Sequence, residues 1–581
     1  MAKNGKPGAS KVGLLFMPTA TRTFTNRLNR MLLGSALTIV GCAGSASLAM
    51  AQDTLPGTTS AQRSADCSSG PVDPYKNYAC LDKYLGDDVF TRMYNYYRLE
   101  YGESSAPSDP NALPSRRDGW PATPQSTPPM PFTEWPYGGS QNLGVTRPGA
   151  VDSPLMVGIA DTGIGRWMAG NNLQLYGWVN GGFNVSSNHQ KPGGNAPIGY
   201  AYTPNTAQFD QAVLYLERVP DTVQKDHIDW GFRISALYGE TYRYTTAYGL
   251  ASYQLLKQNN VNGYDFPMAY FELFVPQIGE GGTDIRIGRF IAVPDIEAQL
   301  APNNYMYTHS LSYTFDNFTN EGIIATVGVT KNFFVQVGLT NGTESAIGQT
   351  GQTIANPYPN PLFPNATMKK NPGAQPSFTG CLRYTTDSGS DDVNLCANGI
   401  NNGTWGYNNL QWYGATYYHK FNDQWHLASE AYHLHQDNVP NSLNPVAQAA
   451  IANGGTPFSP QYIQFNAPGT AICSSAAVLS CTASAMGFVS YLNYSPDKLN
   501  NISIRPEFFY DMQGQRTGVK TRYVDFSIGW QHWLSPQIEI RPEIGWYQSL
   551  NGKAFDGNSA AGIPPSRNTS IIGASDIVVH F

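Results

Sequence analysis

The chain has 581 residues, a formal net charge of −6 and a charged fraction of only 13 %. Nucleic-acid-binding proteins present a strongly basic face, so this balance argues against a nucleic-acid partner. Mean hydropathy is −0.33, yet 12 % of the residues are aromatic and 58 are glycine. Few charges, many aromatic residues and no long apolar run predict a β-rich chain with a wet interior, and the length suits one large barrel.

The N-terminus has the pattern of a secretory signal. Basic residues precede a short apolar run at 31–40, and the small-residue motif Ala49-Met50-Ala51 follows. This order predicts that residues 1–51 are a signal peptide cleaved after Ala51. A lipoprotein site at Cys42 is the weaker alternative, because the usual Leu is missing three positions earlier. No apolar run of about 18 residues follows, so no spanning helix is expected.

Six further cysteines come in three near pairs, which fits an oxidising compartment. Their clustering favours the disulfides Cys67–Cys80, Cys381–Cys396 and Cys473–Cys481, each in a loop-like stretch. Other pairings and free thiols remain open. Zinc is not expected, because no Cys-x-x-Cys motif or matching histidine spacing occurs. We predict no metal site and no cofactor.

Residues 52–170 lack strand patterns. Apolar residues between Tyr78 and Glu100 recur at three- and four-residue steps, which predicts one short amphipathic helix. A proline-rich stretch follows at 107–136, where neither helix nor central strand is expected. The sequence leaves open whether this N-terminal segment lies in the periplasm or inside a lumen.

From residue 171 to 581 the chain alternates between apolar and polar residues. In 230–238, for example, Trp230, Ile234 and Tyr238 share one face, with Arg233 on the other. We expect strands at 173–183, 208–218, 229–238, 267–275, 283–291, 322–330, 333–340, 411–420, 425–434, 486–494, 500–510, 521–533, 537–547 and 570–581.

This pattern predicts an all-β fold, a transmembrane antiparallel β-barrel of about 14–16 strands with an N-terminal non-barrel segment. Strands of about nine to twelve residues suit a tilted membrane crossing. Aromatic residues lie near strand ends, and short turns alternate with long loops such as 341–408 and 436–485. A soluble sandwich is the alternative, since its core face would also be apolar.

Several phrases resemble the β-barrel porin family described as OmpL-like. They are the stretches Pro128-Pro-Met-Pro-Phe-Thr-Glu-Trp-Pro-Tyr-Gly-Gly-Ser140, Leu175-Tyr-Gly-Trp178, Leu237-Tyr-Gly-Glu-Thr-Tyr-Arg-Tyr-Thr-Thr246, Asp284-Ile-Arg-Ile-Gly-Arg-Phe-Ile291 and Asn304-Tyr-Met-Tyr-Thr-His-Ser-Leu-Ser-Tyr-Thr-Phe315. The resemblance implies a channel in the outer membrane of a Gram-negative bacterium and assigns no functional residues. A last strand ending on Phe581 also resembles such barrels, in which that strand is the signal for the barrel-assembly machinery.

Strand parity assigns charged residues to the lumen, because a basic group facing lipid would cost about 2–4 kcal/mol at the midplane. The mixed signs argue against sharp anion or cation selectivity; opposed charges could orient polar solutes, or paired charges could simply brace the wall. The predicted pore-lining residues are Arg233, Arg286, Arg505, Arg541, Glu217, Glu507, Asp525, Glu539 and Glu543.

The segment 294–309 joins two strands but is richer in apolar and aromatic residues than an exposed loop requires. We therefore expect it to fold inward and narrow the pore, with Asp295, Glu297 and His309 near the constriction. An ordinary external loop is the alternative.

These patterns predict a porin for passive diffusion of small hydrophilic solutes, in contact with outer-membrane lipids. A surface-exposed binding or adhesion barrel acting through long disulfide-stapled loops is the alternative. An enzyme is not expected. His309 and Ser310 are adjacent and would point to opposite faces of a strand, which disfavours a lipid hydrolase. The solute, and whether copies form a homo-oligomer, remain open.

Overall fold

The computed structural model is a closed antiparallel β-barrel preceded by short helices. It describes residues 85–99, 153–218, 220, 225–247, 249, 251–255, 260–291, 295–346, 350–352, 371–388, 390–401, 410–450, 470–497, 499–535, 537–558 and 561–581. The predicted signal peptide 1–51 with its cleavage site at Ala51 lies outside these residues, as do Cys67 and Cys80.

Twenty strand segments occur in the described residues. They are β1 Leu173–Ser186, β2 Ala207–Arg218, β3 Asp229–Gly239, β4 Gly263–Asp265, β5 Ala269–Val275, β6 Gly282–Ile291, β7 Thr319–Gly328, β8 Phe333–Thr340, β9 Thr350–Gln352, β10 Asn371–Gly373, β11 Ser377–Thr385, β12 Asp391–Ile400, β13 Gln411–Lys420, β14 Trp425–Pro440, β15 Ser480–Asp497, β16 Asn500–Asp511, β17 Thr521–Ser535, β18 Ile538–Ile540, β19 Glu543–Ser549 and β20 Thr569–His580.

Each strand pairs with its neighbours in the chain, and β20 pairs back onto β1, which closes the ring. β18 and β19 are one strand interrupted at 541–542, because both pair with β17 and β20. The three-residue β4 only extends the end of β3, and β9 and β10 pair separately. Sixteen strands therefore form the wall, which confirms the predicted fold class.

The hairpin β11–β12 corrects the strand prediction, which had placed 341–408 in one long loop. β11 pairs with β8, and β12 pairs with β13. The pattern was missed because Gly380 takes an outer position between Phe378 and Leu382, and Cys381 takes an inner one, so neither fits an alternation of apolar and polar residues. These two strands raise the predicted fourteen to sixteen.

The two faces of the wall follow the alternation seen in the sequence. On β3, Trp230, Ile234 and Tyr238 are exposed on the outer face, whereas Arg233 and Ser235 are buried on the inner face. A closed sheet has no free edge and satisfies its backbone hydrogen bonds between strands. Its apolar outer face can therefore lie against lipid.

The two ends of the barrel differ in the length of their connections. Turns of a few residues join strands at the end where β1 begins and β20 finishes, for example at 329–332 and 421–424. Long connections, such as 187–206 and 441–479, lie at the other end. This asymmetry was expected.

Six α-helices occur in the described residues, and none is long and apolar enough to span a membrane. They are α1 Val89–Leu99, α2 Pro154–Ile159, α3 Gly163–Gly170, α4 Tyr242–Thr245, α5 Leu311–Thr314 and α6 Pro445–Ala450, with a 3-10 turn at Ala301–Asn303. α1 lies where one helix was predicted in 52–170. The sequence pattern missed α2 and α3, because they have only 6 and 8 residues.

Side-chain caps explain where the two missed helices begin. The Ser153 hydroxyl accepts from Met156 N at 3.1 Å, and the Thr162 hydroxyl accepts from Gly165 N at 3.0 Å. Ser153 also donates to the Leu175 carbonyl at 3.1 Å. This bond ties the helices to β1, at the short-turn end.

Two disulfides are present among the described cysteines. Cys381 of β11 faces Cys396 of β12 in register, and their sulfurs are bonded. Cys473 bonds Cys481 at the start of β15. The predicted partners are thus joined, but Cys381 and Cys396 lie in strands and not in the loop expected for them.

Candidate functional site in the barrel interior

The structure places the nine predicted pore-lining residues on the inner face. Eight are buried and Glu543 is half-buried. The four arginines each form an ion pair with a carboxylate. Arg233 pairs with Glu217 at 2.6 Å, Arg286 with Glu272 at 2.6 Å, Arg505 with Asp525 at 3.0 Å and Arg541 with Asp576 at 2.5 Å. These four arginines are therefore neutralised by carboxylates on neighbouring strands.

Several of these partners were not predicted. Glu272 and Asp576 lie on the same inner face as the predicted residues, and strand parity applied to every strand would have found both. Arg383 pairs with Asp392 at 2.6 Å, but both lie in the hairpin that was assigned to a loop. Among the predicted acidic residues, Glu539 is bound by an amide: it accepts a hydrogen bond from Gln531 Nε2 at 2.6 Å.

A loop between β6 and β7 crosses the interior. We call residues 295–318 the inward loop; its backbone N–H groups donate to carboxylates on three distant wall strands. Ile296 N donates to Glu430 of β14 at 3.1 Å, Leu311 N to Glu507 of β16 at 2.9 Å, and Thr308 N to Glu543 of β19 at 3.1 Å. β14 is five wall strands away from β7, so the loop reaches across the barrel.

Wall arginines hold the carbonyl groups of the same loop. Arg541 donates to Ala301 O at 2.6 Å and to Asn304 O at 3.1 Å. Arg505 donates to Thr308 O at 2.7 Å. A buried loop must satisfy its backbone polar groups, and here charged side chains of the wall do so. The predicted lumen charges thus position the inward loop as well as each other.

The three residues predicted near a constriction all lie buried inside the barrel. Glu297 accepts from Ser310 N at 3.0 Å and from the Tyr491 hydroxyl at 2.7 Å. His309 stacks on Tyr200, with ring centroids 3.6 Å apart, and its Nε2 is 2.7 Å from Ala298 O. Burial lowers the pKa of His309 to about 3, so the ring is neutral and donates to that carbonyl.

Asp295 lies beside two carboxylates that the sequence did not single out, Asp316 and Glu430. Burial and the neighbouring Glu430 raise the pKa of Asp295 well above its usual value. Burial and Asp295 do the same for the pKa of Asp316. Asp316 was missed because it follows the predicted segment 294–309, and Glu430 because its strand was not assigned inward charges.

Aromatic side chains fill the space around the inward loop. Tyr313 and Phe318 of the loop pack in one buried cluster with Trp412, Tyr432 and Phe509 of the wall. The Tyr432 hydroxyl donates to Ser312 O at 2.5 Å. The sequence predicted an inward loop at 294–309 from its apolar and aromatic content. Tyr307 of that segment belongs to the same cluster, whereas Tyr313 and Phe318 lie beyond it.

Solved porin structures resemble this barrel at low sequence identity. The anion-selective porin from Comamonas acidovorans is 10 % identical, with 70 % of this chain and 99 % of that chain covered and a TM-score of 0.42. The outer membrane channel DcaP of Acinetobacter baumannii is 9 % identical over 70 % and 97 %, with a TM-score of 0.40. No curated protein sequence matches the chain.

A family model described as "Putative beta-barrel porin-2, OmpL-like" matches residues 172–581. The match begins one residue before β1 and runs to Phe581, so it covers every wall strand. It confirms the predicted location and the resemblance for the four sequence phrases inside this range, whereas the phrase at 128–140 lies outside the match. The chain therefore belongs to this OmpL-like family of β-barrel porins in the outer membrane of Gram-negative bacteria.

Proposed function

We propose that the barrel is a passive diffusion channel for small hydrophilic solutes, with its narrowest section at the inward loop. The observation that carries this proposal is the anchoring of residues 295–318 to β14, β16 and β19 inside a closed barrel. A loop held at several points across a lumen narrows it, and a polar inner face suits hydrated solutes. The driving force is the solute gradient, and the proposal invokes no catalytic step.

The pairing of inner charges suggests weak selectivity by charge. An ion pair such as Arg233–Glu217 offers a passing solute a dipole and no net charge. We assign this role to the predicted pore-lining residues that form ion pairs, whereas Glu507 and Glu543 anchor the inward loop. Glu297 and His309 act as positioning residues, because their polar atoms bind other parts of the loop.

Planar-bilayer recording and liposome swelling test the proposal. Folded protein reconstituted without ligand should give stable open steps, and swelling rates should fall with solute size more steeply than with solute charge. Sugars, amino acids and phosphate of matched size provide the comparison. A folded barrel that stays electrically silent and does not swell liposomes would contradict a channel. A strong preference for phosphate over neutral solutes would contradict weak charge selectivity.

We also propose that Phe581 completes the ring and marks the last strand for the barrel-assembly machinery. Its N–H donates to Gly177 O at 2.8 Å and its carbonyl accepts from Gly177 N at 2.9 Å. Its ring lies so close to Gly177 that a Cβ there would come within 2.8 Å of the Phe581 ring. The outer apolar face would then contact outer-membrane lipids on both sides of this seam.

Phe581→Ser should lower the amount of assembled barrel in the outer membrane several-fold, because the seam loses its aromatic contact and the terminal signal. Heat-modifiable mobility of membrane fractions measures assembly. Phe581→Tyr is the matched control and should assemble like the natural chain. Equal assembly of all three proteins would show that the barrel-assembly machinery does not recognise the side chain of residue 581.

A further inference from the structure

Three carboxylates meet inside the barrel, where the inward loop touches the wall. Asp295 and Asp316 stand near the two ends of the loop, and Glu430 projects from the inner face of β14. One carboxylate oxygen from each residue lies within 4.8 Å of the others. The three residues are buried, with exposed fractions of 8 %, 1 % and 2 %. They come from separate parts of the chain, so no short sequence motif contains all three.

Positive charge near the cluster is scarce among the described residues. Arg505 pairs with Asp525. Arg516 donates to the backbone carbonyls of Phe315 and Asp316, at 2.9 and 3.3 Å, and its charge acts on Asp316. One guanidinium does not balance three buried carboxylates in mutual contact, so this site must hold protons or a cation.

A second observation points to a ligand. Glu430 Oε2 accepts from Ile296 N at 3.1 Å, but Glu430 Oε1 is fully buried and has no hydrogen-bond partner among the described residues. The Tyr313 hydroxyl is likewise buried without a partner there, and Asp295 and Asp316 are among the charges that act on it. A buried oxygen without a partner leaves room for a ligand, and beside Glu430 two further carboxylates lie close enough to share one.

We propose that Asp295, Asp316 and Glu430 bind a divalent cation, and that this cation is Ca²⁺. Hard cations take carboxylate oxygens, and a Ca–O distance of about 2.4 Å allows oxygens of one shell to lie up to about 4.8 Å apart. The three oxygens lie within that limit of one another. Mg²⁺ usually keeps several waters and binds through one or two carboxylates, so a buried site of three protein carboxylates suits Ca²⁺ better.

A cation at this site joins both ends of the inward loop to a wall strand five strands away from β7. It adds a cross-link to the hydrogen bonds of the loop backbone. This inference goes beyond the proposed function. Cation binding is measured without transport, so its result does not depend on whether the barrel conducts solutes.

Calorimetry and Tb³⁺ luminescence on the folded, detergent-solubilised full chain test the site. After chelator treatment and desalting, Ca²⁺ alone is titrated at pH 7.5, and one ion per chain should bind. Tb³⁺ should report the same site through nearby tyrosines. Glu430→Gln and Asp316→Asn should each weaken Ca²⁺ binding at least tenfold. Acidification to pH 5 should weaken it too, because protons compete with the cation for carboxylate oxygens.

Asp284→Asn is the matched control, since Asp284 is another buried carboxylate on the inner face but lies outside the cluster. It should bind Ca²⁺ as the natural chain does. The proposal is overturned if the folded natural chain binds no Ca²⁺ at millimolar concentration, or if both cluster variants bind it unchanged. Should Glu430→Gln fail to show heat-modifiable mobility, Asp295→Asn replaces it under the same criterion.

Discussion

Replacing residues 296–314 with a short Gly-Ser linker should raise single-channel conductance several-fold in planar bilayers. The segment holds most of the inward loop, and its removal leaves the sixteen strands intact. Arg505 and Arg541 keep their partners Asp525 and Asp576, so neither arginine is left unpaired. The carboxylates that lose loop N–H groups would face the water that enters the wider lumen.

A Gly-Ser segment of the natural length is the matched control for the loop deletion. It keeps the volume of the chain but lacks the aromatic packing, so we expect noisy conductance between that of the natural and the shortened chain. Heat-modifiable mobility shows that each variant is folded. Unchanged conductance in a folded deletion variant would place the narrowest section elsewhere in the barrel.

Arg541→Met should lower the free energy of unfolding by about 3–5 kcal/mol, because it leaves a buried carboxylate unpaired. Arg541 contacts both oxygens of Asp576, at 3.0 and 2.5 Å, and holds two carbonyls of the inward loop. The double variant with Asp576→Asn should recover most of the loss. Urea unfolding of the reconstituted barrel, followed by tryptophan fluorescence, measures the change.

Lys331→Met is the matched control for this charge removal. Lys331 pairs with Asp387 at 2.9 Å, but the two side chains are 68 % and 70 % exposed. Solvent screens such a pair, so the variant should unfold like the natural chain. An Arg541 variant as stable as this control would show that the buried Arg541–Asp576 pair does not contribute to the free energy of unfolding.

Strand parity predicted the wall because a membrane barrel separates its two faces by a strict period of two. Ile538 and Glu539 illustrate this: one is half-buried on the outer face, and the other is fully buried on the inner face. The pattern fails where inner and outer residues are both small or polar. Gly380 at an outer position of β11 and Cys381 at an inner one are such residues, and there only pairing with β8 and β12 defines the strand.

The inner site was less predictable, because its contacts join residues that are far apart in the chain. The sequence marked Asp295 and Arg541 as single charged residues. It contained no sign that Arg541 would hold the backbone at Ala301, or that Asp295 would meet Glu430. Parity tells which way a side chain faces but not which strand lies opposite, since that depends on the closed ring and on the path of the loop.

The anchors of the inward loop imply an order of events in biogenesis. The backbone N–H groups of Ile296, Leu311 and Thr308 donate to Glu430, Glu507 and Glu543, respectively. These acceptors lie 134, 196 and 235 residues further along the chain. Contacts of such long sequence separation form slowly, because a large loop of chain must close to bring their partners together. The inward loop can therefore reach its anchored position only after the C-terminal half of the polypeptide has joined the barrel.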